Sequence, residues 1–251
     1  MSKFFVSDNQ IENNKIVIKG EDVNHIKNVL RINIGDSIQI CNKDTSDNFL
    51  CVIENFEKET IICNIKKKQE SKTESNVYIN IFQGIPKAEK MEFVIQKSTE
   101  LGVCEITPVV MKRCIVKLVG KDEKKKIDRW QKIAEVAAKQ SGRDFIPIVN
   151  NCINICNLCE KIKNYDIVIV AYEKENENSI KNELNKLKNK SKKDLKIGVV
   201  IGPEGGIEPS EIELLKQNGA KVVTLGKRIL RTETVALTLA SIIMYDLGDL
   251  N

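Results

Sequence analysis

Apolar and polar positions along this chain change rhythm once. Over residues 1–70 the apolar residues come in short β-prone runs: Lys3–Val6, Lys15–Lys19, Ser37–Cys41, Phe49–Phe56 and Thr60–Lys66. Gly, Asn, Asp and Ser separate them, as turn residues do. One patch breaks the rhythm. In Val23–Leu30, apolar Val23, Ile26, Val29 and Leu30 recur at helical spacing. Several short strands so spaced predict a small β-barrel. Lys66–Ser75 has no apolar residue and reads as a linker.

Beyond it strands alternate with helices. Val77–Phe82 reads as a strand, Lys87–Leu101 as an amphipathic helix closed by Gly102, and Ile106–Val110 as the next strand. Lys124–Gln140 is a longer helix, Ile146–Val149 an extended piece, and Ile153–Lys161 a short helix. Ile167–Ala171 has no polar residue, the signature of a parallel strand buried on both faces. Helix Ile180–Leu187 and the lysine-rich turn Lys186–Lys196 follow. Two strand–loop–helix units close the chain. Strand Ile197–Ile201 enters Gly202-Pro203-Glu204-Gly205-Gly206, with a helix opening near Pro209 and ending before Gly219. Strand Val222–Leu225 enters Gly226-Lys227-Arg228, and the last helix, Glu233–Leu247, is apolar enough on most faces to be buried, partly in a dimer interface. The fold class is therefore α/β: a mostly parallel sheet with helices on both faces, preceded by a small β-barrel. The domain boundaries read 1–70 and 76–251.

Composition narrows the setting. The 251 residues are 41% hydrophobic and 30% charged, ordinary values for a globular chain. A formal charge of +5 is compatible with a nucleic-acid partner without demanding one. No apolar run reaches the roughly 18 residues of a membrane span, and the N-terminal residues lack a signal-peptide core, so a cytoplasmic location is expected. The eight cysteines are then expected to be reduced. Cys152, Cys156 and Cys159 form C-x3-C-x2-C, but no fourth Cys or His lies nearby, and no metal site is expected.

The chemistry concentrates in the two glycine loops. Neither carries the G-x-x-x-x-G-K-[ST] of a nucleotide hydrolase or the G-x-G-x-x-G of a dinucleotide fold. In open α/β sheets, ligands sit beyond the carboxyl ends of strands, and two adjacent loops there predict one shared small-molecule site. Thr232 reads as an N-cap and Glu233 as a first-turn acid. Arg231 has no such local role and is placed to hold an anion.

GPEGG followed by LGKRILRTETVALTL resembles the SPOUT class of RNA methyltransferases, and within it the RsmE family, which methylates N3 of a uridine in 16S ribosomal RNA. HIKNVLR with Gly35-Asp36, QGIPKAEK, QKSTELG and QSGR extend the resemblance over essentially the whole chain. Val235 stands where the family usually has Ala. The resemblance implies a PUA-like RNA-binding barrel, a catalytic domain with a C-terminal trefoil knot, and a homodimer. It implies S-adenosyl-L-methionine bound among three loops: Ala171, Tyr172 and Glu173; Ile201, Gly202, Pro203, Glu204, Gly205 and Gly206; and Leu225, Gly226, Ile229 and Leu230, with Thr234 beyond. Arg231 and Glu233 become the expected catalytic pair, and Arg31, Lys87, Lys90, Arg113, Gln140 and Arg143 the expected RNA contacts, alongside Lys97. His25 is expected to pack or cap rather than react. Two alternatives stand beside this reading: a non-catalytic RNA-binding assembly factor, and a related methyltransferase acting on transfer RNA.

Overall fold

A computed structural model describes residues 3–70, 73–116, 120–188 and 194–250. Parts of the expected linker and of the lysine-rich turn, 71–72 and 189–193, lie outside the described residues. The chain divides into two compact units, Met1–Glu74 with Ala138–Ile146, and Ser75–Ala137 with Pro147–Asn251.

The first unit is a six-stranded sheet. Its strands are β1 (Lys3–Val6), β2 (Ile11–Glu12), β3 (Lys15–Lys19), β4 (Ser37–Asn42), β5 (Asn48–Phe56) and β6 (Thr60–Gln69), with helix α1 (Glu21–Asn24) between β3 and β4. Their order is β1-β4-β5-β6-β3-β2, with β1 parallel to β4 and the other pairs antiparallel. Phe4 and Val6 of β1 share one core with Ile16 and Ile18 of β3, near the opposite edge. Strands so far apart in the order meet inside only if the sheet curls.

Two expectations change here. After α1 the backbone widens into a π turn over His25–Val29, which shifts the helical phase. Val23 and Ile26 stay buried, while Val29 is 62% exposed. Strand β6 also runs through Lys66, Lys67 and Lys68 to Gln69, so these lysines belong to a strand paired with β5 rather than to a linker.

The unit also takes in Ala138–Ile146, which the sequence pattern assigns to the second. The reason is a buried polar cluster. Lys3 pairs with Asp144, at 8% and 3% exposure. Arg143, 4% exposed, pairs with Glu74 at 2.5 Å, and its guanidinium lies 5.9 Å from the Phe145 ring. Asp144 N–H donates to Thr73 and Glu74. Arg143 is therefore a structural residue of the interior, not an exposed phosphate contact.

The second unit is built on a parallel sheet. In chain order it holds β7 (Val77–Gly84), α2 (Lys90–Glu100), β8 (Glu105–Val110), α3 (Lys121–Ser141, whose last residues enter the first unit), β9 (Ile148–Val149), β10 (Ile153–Asn154), α4 (Ile155–Ile162), β11 (Ile167–Ala171), α5 (Ile180–Lys188), β12 (Leu195–Ile201), α6 (Pro209–Gln217), β13 (Lys221–Val223) and α7 (Thr232–Leu247). The sheet order is β10-β8-β7-β12-β11-β13, every pair is parallel, and β9 adds to β8. Strand alternation buries both faces. Ile79, Ile81, Ile197, Val199 and Ile169 join one core with residues of α2, α3, α5 and α7. Phe82, Val168, Val170, Val200 and Val222 join another with α4 and α6. The chain winds outward through β8, crosses to β11, and returns to insert β12 between β7 and β11. This reversal leaves the carboxyl ends of β11, β12 and β13 side by side, the crevice where such sheets bind ligands.

Two outcomes follow from this packing. Removing one partner of a buried ion pair typically costs about 3–5 kcal/mol, so Lys3→Ala should lower unfolding stability by that order in a urea titration. Burial pushes the thiols of Cys41, Cys51 and Cys63 up to about 12. Alkylation of the native protein at pH 8 followed by mass spectrometry should label exposed Cys156 and leave these three unlabelled until the chain unfolds.

Candidate functional site

Three loops leave the ends of β11, β12 and β13 and enclose one cavity of about 540 Å³. The first supplies Ala171, Tyr172 and Glu173, the second Ile201–Ile207, and the third Thr224–Leu230, which runs on into Arg231, Thr232 and Val235. Lys90 of α2 reaches the same space. Its volume lies within the range of small-molecule sites, roughly 300–1,000 Å³.

The second loop is the most firmly held. Gly206 N–H donates to Pro203 O at 2.9 Å and closes a tight turn, and Gly206 itself sits at φ +70, where a side chain is strained. Pro203 lies so close to β7 that a Cβ on Gly84 would fall 2.6 Å from Pro203 Cδ and 2.7 Å from Pro203 N. Behind the loop, Arg113 donates to Gly205 O at 3.1 Å and to Glu208 at 2.7 Å, while Lys112 N–H donates to Glu211 at 2.9 Å. Glu208 and Glu211 also form a capping box at the start of α6.

Thr232 joins this loop to α7. Arg231, extended at φ −70 and ψ 152, is the N-cap, and Thr232 is the first helical residue. The Thr232 hydroxyl donates to Gly202 O at 2.7 Å and accepts from Gln83 Nε2 at 2.8 Å. Gln83 is fully buried and also donates to Gly84 O. One hydroxyl therefore fastens the end of β7, the second loop and the start of α7. The N-cap expectation for Thr232 fails because its side chain is engaged across the sheet rather than along its own helix.

Lys90 makes the second link. Its ammonium lies 3.1 Å from Glu204 and 3.4 Å from Glu233. The Glu204 hydrogen bond raises the Lys90 pKa above its ordinary value. Burial pushes the Glu204 carboxyl up, but hydrogen bonds from its own N–H, from Lys87 N–H and from Lys90 together outweigh this and lower it. A lowered carboxyl stays ionised as pH falls from neutral, so the clasp is lost only below the usual glutamate range. Glu233 Oε2 is buried, and the Lys90 ammonium is its charged neighbour.

The loops thus bring together every expected cofactor residue except Thr234, which is exposed and outside the cavity wall. Arg231 lies on the wall, and Glu233 meets it only through Lys90. Of the expected RNA contacts, Lys90 and Arg113 hold the second loop, and Lys87 joins them through its backbone. Lys97 pairs with Glu100. Arg31 and Gln140 are exposed in the first unit. Ile207, Thr224, Thr232 and Val235 line the cavity without having been singled out for it, and Lys227 and Arg228 line it as part of the expected glycine loop. Lys227 and Arg228 were legible as charges inside the glycine loop. Gln83 opens the QGIPKAEK motif, but its bond to Thr232 was not legible, because the two lie 149 positions apart.

Comparison with known proteins gives this geometry a family. Residues 73–244 match a profile for an RNA methyltransferase domain, and residues 18–66 one for an RNA methyltransferase PUA domain. The ribosomal RNA small subunit methyltransferase E of Bacillus subtilis is 36% identical over 91% of this chain and 89% of its own length. The chain belongs to the ribosomal RNA small subunit methyltransferase E family. Another methyltransferase E, from Mesomycoplasma hyopneumoniae, is 35% identical over 95% of this chain and 97% of its own. The structure of methyltransferase E from Neisseria gonorrhoeae, bound to S-adenosyl methionine, superposes with a TM-score of 0.86 at 29% identity, covering 100% of both chains. A methyltransferase of this family has, as expected, a PUA-like domain and a parallel-sheet α/β domain.

In this methyltransferase the fit between β7 and the second loop leaves no room at Gly84. Gly84→Ala should displace Pro203 and weaken small-molecule binding at least tenfold in a calorimetric titration with S-adenosyl-L-methionine, while circular dichroism stays near wild type.

Proposed function

We propose that this protein transfers a methyl group from S-adenosyl-L-methionine to N3 of a uridine in 16S ribosomal RNA. Membership of the methyltransferase E family supports the reaction class, and the S-adenosyl methionine bound to the gonococcal relative supports the donor. One observation carries the reading for this chain: three strand-end loops enclose a single cavity whose wall presents two exposed arginines, Arg228 and Arg231.

The cavity suits the donor. Glycine loops expose backbone groups that can take an adenine and ribose, through Ile201–Gly206 and Leu225–Leu230, with Ala171–Glu173 closing the third side. Glu173 offers a carboxylate to a cationic ligand. When bound, the donor supplies an electrophilic methyl group on a sulfonium. The protein's part is position and electrostatics. Holding two reactants in line is worth on the order of 7–11 kcal/mol.

Neutral uracil N3 is a poor nucleophile and must give up its proton. Arg231, cationic and exposed on the wall, is assigned to the negative charge that then spreads to O2 and O4. Glu233, the carboxylate next to Arg231 in sequence and paired with Lys90 at the cavity's edge, or a water is assigned the N3 proton. N3 lies on the pairing edge, so the target uridine enters unpaired or flipped. The enzyme is proposed to work in the cytoplasm as a homodimer. The apolar α7, which leaves Tyr245 67% exposed, supports the dimer. Insertion of β12 between two earlier strands supports a SPOUT-type trefoil knot.

Arg231→Ala should reduce single-turnover methyl transfer about 10²–10³-fold, the scale of losing one charge-stabilising donor. Calorimetry should show donor affinity within threefold of wild type. Parallel loss of transfer and donor binding would remove Arg231 from the catalytic assignment.

A further inference from the structure

The cavity lining is rich in cations: Lys90, Lys227, Arg228 and Arg231 stand against two carboxylates, Glu173 and Glu204. On the third loop, Lys227 and Arg228 are exposed and make no hydrogen bond or ion pair with any described residue, and both border the cavity. Lys90, Arg113, Lys97 and Arg129 are paired with carboxylates, whereas Arg231, further along the same wall, shares the exposed state of Lys227 and Arg228. Beside the unpaired pair, Ile229 is 84% exposed, an apolar side chain in water between charged neighbours.

Adjacent exposed lysines also occur on α3, at Lys124 and Lys125; what sets Lys227 and Arg228 apart is their place on the cavity border beside exposed Ile229, a surface suited to a polyanion with apolar faces. We infer that Lys227 and Arg228 form the RNA-docking rim of the site, holding backbone phosphates beside the uridine that enters the cavity, with Ile229 packing against a neighbouring base or ribose. The inference rests on the proposed methyl transfer and adds the residues that recruit its RNA. This moves the expected RNA contact in the second unit away from Lys90 and Arg113, whose charges are spent holding the second loop.

The test is the salt dependence of RNA binding. The full-length protein is titrated into a short fluorescent single-stranded uridine-rich RNA across a range of salt concentrations. Each single-strand phosphate contact contributes about 0.7 to the slope of log affinity against log salt. The double variant Lys227→Gln with Arg228→Gln should therefore flatten the slope by about 1.4 and weaken binding at least tenfold at low salt. Lys227→Arg with Arg228→Lys keeps both charges and should keep the slope. Lys124→Gln with Lys125→Gln removes two exposed charges from α3 and should change the slope by less than half as much. An unchanged slope in the first variant, equal flattening in the α3 variant, or no salt-dependent RNA binding by the wild type would overturn the rim. So would a change in oligomeric mass in place of a change in slope, which would make this loop a contact between copies of the chain. Calorimetry of the wild type with S-adenosyl-L-methionine separates the two levels. Donor binding with an unaltered RNA slope rejects the rim alone, and no donor binding rejects the methyl-transfer reading itself.

Discussion

The Thr232 hydroxyl sits between Gly202 O and Gln83 Nε2, at 2.7 and 2.8 Å, and the geometry of the cavity depends on those two bonds. A loop that binds a ligand through backbone groups has few side chains of its own to fix it. Here the fixing comes from behind. Thr232 ties Gly202 to the start of α7, Gln83 ties Thr232 to β7, and Gly84 admits Pro203 against the same strand. Arg113 holds the far end of the loop through Gly205 O. Lys90 bridges Glu204 to Glu233 and repeats the connection to α7 at the cavity's edge. Holding a binding loop in place before the ligand arrives lowers the ordering cost of binding. On the proposed reading the second loop is held that way, and the third loop, with its exposed cations, faces solvent.

The sheet explains why these groups can meet. Inserting β12 between β7 and β11 puts strands far apart in sequence next to one another, with all carboxyl ends pointing the same way. Buried alternation on both faces fixes the register: Val199 and Ile201 face one core and Val200 the other. A slip of one residue would turn every such side chain to the wrong face. The position of Gly202 is thus a consequence of core packing several residues earlier.

Much of this was legible in the sequence wherever the determining contact is local. Ile167–Ala171 has no polar residue and is a strand over those five positions. The final helix declares itself by composition, and the two glycine loops by their place at strand ends. What could not be read is what long-range partners decide. Thr232 has the side chain of an N-cap, yet Gln83 and Gly202 claim its hydroxyl. Arg143 lies in a polar motif that resembles an RNA contact, but Glu74 and Phe145 hold it in the interior. Lys66–Gln69 looks like linker by composition and is strand because β5 pairs with it. Val29 keeps helical spacing in sequence but loses it where the backbone widens into a π turn.

The central claim is that three loops act as one binding surface for S-adenosyl-L-methionine. Hydrogen–deuterium exchange with and without the donor tests it most directly. Peptides covering Ala171–Glu173, Ile201–Gly206 and Leu225–Leu230 should all gain protection, at one common midpoint in a titration. Protection confined to a single loop, or strongest in a segment outside all three, would contradict the account.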